Sequence, residues 1–221
     1  MQKAADLLAA VRAKNTEAAR RLLDAEPALK DARAPSGELV VLAALQVGAD
    51  EIARLLVERG ARLDAFAAAA LGEVAALEAR LEAEPGAARA HGPDGWTALH
   101  LAAFFGREPA ARLLIERGAE PGAISRNPTA GTPLHTAAAR GHAKVAALLI
   151  ERGAAVSGTA GGGWTPLHLA AAAGHAGVVA LLIERGADLQ AREAGGRTPL
   201  GIATATHHAE VAALLRRAGA A

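Results

Sequence analysis

Apolar side chains in the C-terminal half of the chain recur in short blocks with helical spacing, and glycine or proline separates the blocks. Residues 143–152 carry one apolar stripe, and Gly153 follows as a stop signal for a helix. Ahead of that block, Thr132 can cap an earlier helix of about two turns, with Pro133 in its first turn and Gly141 in the left-handed conformation at its end. Helices this short are marginal alone in water, so the pattern predicts helix pairs that persist by packing on neighbouring pairs.

The predicted helix pair recurs with a nearly constant period. A Thr-Pro-Leu-His motif, or a close variant of it, begins at four threonines that are 35, 33 and 33 residues apart: Thr97, Thr132, Thr165 and Thr198. A Glu-Arg-Gly motif ends 35 and 33 residues apart at Gly118, Gly153 and Gly186. Two landmarks with one period indicate a repeat architecture.

These repeats resemble the ankyrin repeat. The resemblance covers residues 95–219 and is carried by the 33-residue period, Thr-Pro-Leu-His-x-Ala-Ala, the Gly-His pairs at 141–142 and 174–175, and Leu-Leu-Ile-Glu-Arg-Gly-Ala. It implies an all-α solenoid of L-shaped, stacked helix-turn-helix units, each projecting a short β-hairpin or loop, here called a finger, beside a concave groove. It also implies that the motif histidines bond backbone and hydroxyl groups at the helix start: His100, His135 and His168.

The N-terminal half is interpreted as a diverged continuation of the same array. Glu-Arg-Gly at 58–60 lies 58 residues before its copy at 116–118, which indicates a duplicated pair of repeats. We therefore predict a single domain, 1–221, of about seven repeats, with a finger missing between the second and third because residues 60–64 run directly into the next helix, 65–71. The predicted repeats are 3–35, 36–63, 64–94, 95–129, 130–162, 163–195 and 196–221.

The first and last repeats are expected to act as caps. One position of the second helix carries an aliphatic side chain that should face the next repeat: Val57, Ile115, Ile150 and Ile183. The last repeat has Arg216 there, as expected of a solvated end.

Composition excludes several classes of protein. The formal net charge of +1 argues against nucleic-acid binding, and the absence of cysteine removes disulfides, thiolate metal sites and cysteine nucleophiles. Residues 153–183 lack charged side chains, but seven glycines and Pro166 interrupt them, so we expect no membrane segment. With no secretion signal, a cytoplasmic monomer is the expectation. Abundant alanine, and arginine in preference to lysine, favour a bacterial source.

No catalytic or metal-binding constellation is found. The chain has no phosphate-binding loop of the Walker type and no serine in a nucleophile elbow. Glycines 141 and 174 separate the histidine pairs that are seven residues apart, so no two rings share one helix face. Only the pair at 207–208 is less constrained. We predict no enzyme activity, no cofactor and no metal.

The scarce aromatic residues point to a candidate binding face. Trp96 and Trp164 occupy the same position, directly before the capping threonine, and Phe104 and Phe105 end the first helix of the fourth repeat. The resemblance places these positions beside the groove, with Phe105 expected to be the more exposed. Framework packing is the alternative for these rings. The finger of the fifth repeat is two residues longer than its successors and adds a polar rim, so the candidate partner-binding residues are Trp96, Phe104, Phe105, Arg126, Asn127, Arg140 and Trp164.

The leading hypothesis is a non-enzymatic protein-interaction module or scaffold that binds an unknown partner protein through the groove and fingers of repeats four to six. The alternatives are a binder of a small molecule, a binder of nucleic acid, which the near-neutral charge disfavours, a regulatory or stress-protection accessory factor, and a stand-alone enzyme.

Overall fold

A computed structural model describes residues 2–220 of the chain. Within that range fourteen α-helices form seven consecutive pairs, and no β-strand is present. Three short 3-10 helices lie between pairs, at Pro27–Asp31, Pro85–Ala88 and Gly161–Gly163. The α-helices are α1 (Gln2–Arg12), α2 (Thr16–Ala25), α3 (Val40–Gln46), α4 (Asp50–Glu58), α5 (Ala65–Leu71), α6 (Val74–Ala83), α7 (Ala98–Phe104), α8 (Glu108–Glu116), α9 (Pro133–Arg140), α10 (Ala143–Glu151), α11 (Pro166–Ala172), α12 (Ala176–Glu184), α13 (Pro199–Ala205) and α14 (Ala209–Arg217).

The predicted start and stop signals lie where the sequence placed them. Thr97 and Thr165 accept the backbone N–H of the residue three positions on, and the histidine at that position returns a bond to the threonine N–H, which forms a capping box. Pro133 lies in the first turn of α9, and Gly141 ends α9 with φ of 77°. Each short helix is therefore bounded by local chemistry, while its stability depends on the stack.

The helices form two rows. The first helices of the pairs, α1 to α13 with odd numbers, pack side by side in one row, and the even-numbered helices form a second row against it. Alanines fill the contacts between neighbouring first-row helices and are fully buried: Ala102, Ala137, Ala170 and Ala203. Their small side chains let the helices approach closely, which explains how an aromatic-poor chain builds a continuous core.

The second-row aliphatic residues join neighbouring pairs, as the sequence predicted. Ile150 packs against two clusters of buried apolar residues. One cluster lies between Ala65 and Ala154, and the other lies between Ala138 and Leu215. Its counterparts are likewise half-buried at Val57, Ile115 and Ile183. Arg216 at the end of the array is exposed, as a solvated cap requires.

Five fingers connect the pairs, and in each the first residue of the finger donates its backbone N–H to the carbonyl of the last. They lie at residues 34–38, 92–96, 125–131, 160–164 and 193–197. Isolated bridges between Arg33 and Leu39 and between His91 and Thr97 are the only β pairing in residues 2–220. The fingers are thus turns rather than the hairpins that the resemblance allowed, since each is too short for a ladder of strand bonds.

Neighbouring fingers are linked through the backbone. Residues Arg126, Gly161 and Ala194 each donate an N–H to the preceding finger, to the carbonyls of Gly95, Thr129 and Gly162, over 2.8 Å in each case. These links hold fingers two to five in register as one surface. That surface, formed by the fingers and the first helix row, is called the groove face below.

The second and third pairs are joined by only six residues, 59–64, with no finger. The fingers on either side of this junction lie close together. A Cβ atom built on Gly37 of one finger would be only 3.4 Å from Cγ of Pro93 in the other. Asp94 also accepts a hydrogen bond from the Gln46 side chain of α3. Pro93 stands where Arg126 or Gly161 would donate an N–H, so this contact is made without a backbone link.

Candidate binding site

The histidines of the Thr-Pro-Leu-His motifs are framework residues, as the resemblance implied. In His100, Nδ1 lies 2.8 Å from Oγ1 of Thr97, and Nε2 lies 3.1 Å from the carbonyl oxygen of Gly131 in the next finger. His135 and His168 repeat this arrangement toward the carbonyls of Trp164 and Arg197. Each ring therefore ties a helix start to the following finger.

A second series of histidines was missed by the sequence analysis. His142, His175 and His208 precede the second helices, and Nε2 of each lies 2.9 to 3.1 Å from a carbonyl at the end of the preceding pair's first helix. Arg107 makes the equivalent bond to Ala70. His208, which the sequence left unconstrained, is thus a framework residue. A signal was present in the sequence, because the position follows the helix-ending glycine at 106, 141 and 174, or His207 in the last repeat, and carries a histidine in three of these four repeats.

The surroundings of these histidines lower the pKa values of four of them. Burial lowers the pKa of His100 to about 4, outweighing the opposing effect of the bond to Gly131. Burial likewise lowers the pKa values of His135, His142 and His168. The neutral rings of His100, His135 and His168 bond on both nitrogens and so have no lone pair left for a metal. No group of three or more side chains that could hold a metal is found among residues 2–220.

One cavity on the groove face brings together four of the seven predicted site residues. It has a volume of about 390 Å³ and lies across the fourth, fifth and sixth pairs. Trp96, Phe104, Arg140 and Trp164 line it, together with small and aliphatic groups of the fingers and of α9 and α11. No aspartate or glutamate is among its lining residues.

The aromatic side chains that line the cavity belong to two groups of contacting rings, one around Trp96 and one around Trp164. The Trp96 indole lies 6.1 Å from the His100 ring and 5.3 Å from the Phe104 ring, measured between centroids. The guanidinium of Arg140 lies 4.5 Å over the Phe104 ring in a cation–π contact. At the other end, Trp164 packs edge-on to His168 at 5.9 Å. The rings are half-buried, with one side in the framework and the other facing the cavity.

Phe105, expected to be the more exposed ring of the pair, is half-buried, as Phe104 is. It packs against buried residues that belong mainly to the first three helix pairs, and it lies edge-on to Phe104 with 4.9 Å between the ring centroids. It does not line the cavity. The last residue of α7 is Phe104, so Phe105 is the C-cap, and its side chain turns back toward the second and third pairs.

Arg126 and Asn127 also lie outside the cavity lining. The Asn127 side-chain oxygen accepts bonds from Ser125 Oγ, the Thr129 N–H and Thr129 Oγ1, at 2.9, 3.2 and 2.6 Å. Asn127 therefore organises the long finger. Arg126 contributes its backbone N–H to Gly95, while its side chain is exposed. The extra finger length that suggested a binding rim is used for this local network.

The fold and the cavity define a helical repeat solenoid with an aromatic recess on the face formed by its first helices and fingers. A family model for ankyrin repeats matches the chain in three copies, over residues 65–160, 122–193 and 156–221. The chain belongs to the ankyrin repeat family. Comparison with curated proteins finds no significant match.

Family membership sets the general class of function. Ankyrin repeats are generally protein-interaction modules, and proteins built from them are typically not enzymes. Among residues 2–220 no helix combines the length and the hydropathy needed to cross a membrane. The repeat boundaries, the bacterial source, the cytoplasmic location and the monomeric state stay predictions from the sequence.

Proposed function

We propose that the protein is a non-enzymatic interaction module whose groove face, between the fourth and sixth helix pairs, binds a partner protein. The observation that carries the proposal is the cavity of about 390 Å³ that collects both tryptophans of the chain, Phe104 and Arg140. Small-molecule sites usually have roughly this volume and an apolar lining with a few polar groups, and a recess of this kind can equally receive an anchoring side chain of a partner protein.

The residue types match those that dominate interfaces. Tryptophan and arginine are enriched among the few residues that supply most of the binding energy, and truncating one typically costs at least about 2 kcal/mol. Trp96 and Trp164 are held by framework contacts to His100 and His168, so little conformational entropy is lost when a partner covers them. Phe105 and Asn127 do not line the cavity and are not proposed as partner contacts.

The test is capture of a partner followed by measurement with purified components. A partner recovered from a lysate and identified by mass spectrometry is titrated against the wild type and against Trp96→Ala and Trp164→Ala. Each variant is expected to bind at least about 30-fold more weakly, the equivalent of 2 kcal/mol. Exposed residues of the second helix row provide the matched controls, Lys144→Ala and Arg152→Ala, which should stay within about twofold of the wild type.

The opposite pattern would reject the proposal. If the tryptophan variants keep their helical circular dichroism and bind the partner as tightly as the wild type, the groove face is not the binding surface. A loss of affinity confined to Lys144→Ala or Arg152→Ala would move the surface to the second helix row.

A further inference from the structure

The cavity exists because one repeat lacks a side chain that its neighbours have. The position directly before the capping threonine is occupied by Trp96, Gly131, Trp164 and Arg197 in successive repeats. Gly131 thus leaves a vacant place between two indoles. A Cβ atom on Gly131 would meet only ordinary contacts, at 3.6 Å from His135 and 3.8 Å from Thr129, so the backbone here does not exclude a side chain, and Gly131 itself lines the cavity.

The same vacancy recurs one step along the first helices. Phe104 has Ala139 as its counterpart in the fifth repeat, and both line the cavity. The small side chain of Ala139 therefore leaves the recess open at this position, and the larger side chains of Phe104 and Leu169 also line it. A large apolar side chain supplied from outside would complete the row of rings and bury apolar surface at about 25 cal/mol per Å².

Three donor groups that line this recess have no acceptor within residues 2–220: the Arg140 guanidinium and the indole N–H groups of Trp96 and Trp164. Arg140 is exposed, makes no side-chain hydrogen bond and has no carboxylate within 4.0 Å among residues 2–220. The indole N–H groups of Trp96 and Trp164 likewise donate to no atom of the described chain, and neither nitrogen is sealed from solvent. A ligand that satisfies these three groups must bring acceptors.

The charges near Arg140 also favour a ligand that brings hydrogen-bond acceptors. Arg107 and Arg140 both act to lower the pKa of His142, which shows that their fields overlap there. Asp50 and Glu73 line an adjoining cavity that Arg140 also borders, but they form no ion pair with it. Three aromatic rings would ordinarily attract a cation, yet Arg140 already covers the face of Phe104. A second cation is therefore repelled, and a carboxylate is attracted.

Resting on the groove function proposed above, we propose that the cavity receives a large aliphatic or aromatic side chain from an acidic segment of the partner protein. The anchor fills the vacancy at Gly131 between Trp96 and Trp164, and a carboxylate beside it accepts charge-assisted hydrogen bonds from Arg140. Such bonds are roughly twice as strong as neutral ones, so the acidic flank sets specificity and the apolar anchor supplies most of the affinity.

Synthetic peptides test this assignment, and the chain carries its own reporter. Its two tryptophans both line the cavity, and it has no tyrosine, so intrinsic fluorescence reports on the site directly. The probes are blocked nonapeptides without tryptophan or tyrosine. They share a central leucine whose flanks are aspartate and glutamate, asparagine and glutamine, or lysine, and a fourth peptide has acidic flanks around a central alanine.

The acidic leucine peptide is expected to bind at least about 10-fold more tightly than the amide peptide and the alanine peptide, with no binding of the lysine peptide. Arg140→Gln should remove the preference for acidic flanks, and Arg140→Glu should transfer it to the lysine peptide. Lys144→Glu makes the same change of charge in the same repeat but on the second helix row, and it should retain the wild-type ranking.

Several results would overturn the assignment. They are equal affinity for acidic and amide peptides, no fluorescence change with any peptide, or the same loss in Lys144→Glu as in Arg140→Glu. Equal binding of acidic and amide peptides that Trp96→Ala abolishes would refute the acidic preference and leave the groove function standing. A captured partner that ignores the tryptophan variants would refute the groove function itself.

Discussion

Burial of His100 is expected to make the stability of the repeat array depend on pH. The ring is completely inaccessible to solvent, and burial lowers its pKa from 6.5 to about 4. The folded protein therefore binds fewer protons here than the unfolded chain does between these two values. The contribution of the neutral His100 ring to the free energy of unfolding is fully present above about pH 6.5 and is lost as the pH falls toward 4.

The size of the effect follows from the shift in pKa. A pKa shift of one unit corresponds to about 1.4 kcal/mol. With a pKa of 6.5 in the unfolded chain and about 4 in the folded protein, His100 lowers the free energy of unfolding at pH 4.5 by about 2 to 3 kcal/mol relative to neutral pH. Protonation also adds a positive charge close to His91 and His135, which lower the pKa of His100 further.

The assay compares the wild type with His100→Gln by urea unfolding at pH 7 and pH 4.5, followed by circular dichroism. Glutamine is neutral at both values, so its variant should start less stable and then lose about 2 to 3 kcal/mol less than the wild type on acidification. The exposed His207, replaced by asparagine because its φ is 61°, is the control and should track the wild type. Parallel losses in the wild type and His100→Gln would refute the reasoning.

Three further substitutions test the framework by urea unfolding. Gly141→Ala should cost at least about 1 kcal/mol more than Gly186→Ala, because both glycines have φ near 78° but only at Gly141 would the new Cβ lie 2.7 Å from the His175 ring; equal losses would contradict this. Asn127→Ala should lose about 1 to 2 kcal/mol, whereas Asn127→Asp keeps an acceptor oxygen for the finger and should lose less; the reverse order would exclude the proposed role of the oxygen. Ala137→Leu should destabilise by about 1 to 3 kcal/mol through overpacking between first-row helices, and an unchanged midpoint would show that the stack is loose.

Features encoded locally could be predicted from the sequence. The capping threonine, the proline in the first turn and the glycine stop each act within one helix, and their 33-residue recurrence revealed the array. The bonds of His100 to Thr97 followed from the resemblance, because the motif keeps both partners within three residues.

Features that depend on contacts between repeats were harder to predict. The bond of His208 to Ala172 joins residues 36 positions apart, and no single repeat displays it. The sequence placed Phe104 and Phe105 together on the candidate binding face, yet only Phe104 lines the cavity, while Phe105 packs against the core of the first three helix pairs. The recess itself is made by the absence of a side chain at Gly131, which becomes meaningful only when the two flanking tryptophans are seen across it.

Filling that recess is the most direct test of the central claim. Gly131→Leu adds a side chain at the vacancy, where its Cβ atom meets only ordinary contacts, and Gly177→Leu makes the same change on the exposed second helix row, where no atom lies within 4 Å of the new Cβ. Binding of a purified partner is measured by tryptophan fluorescence with both variants. The account predicts that Gly131→Leu weakens binding by at least about 30-fold while Gly177→Leu stays within about twofold of the wild type. Unchanged affinity in a folded Gly131→Leu protein would contradict it.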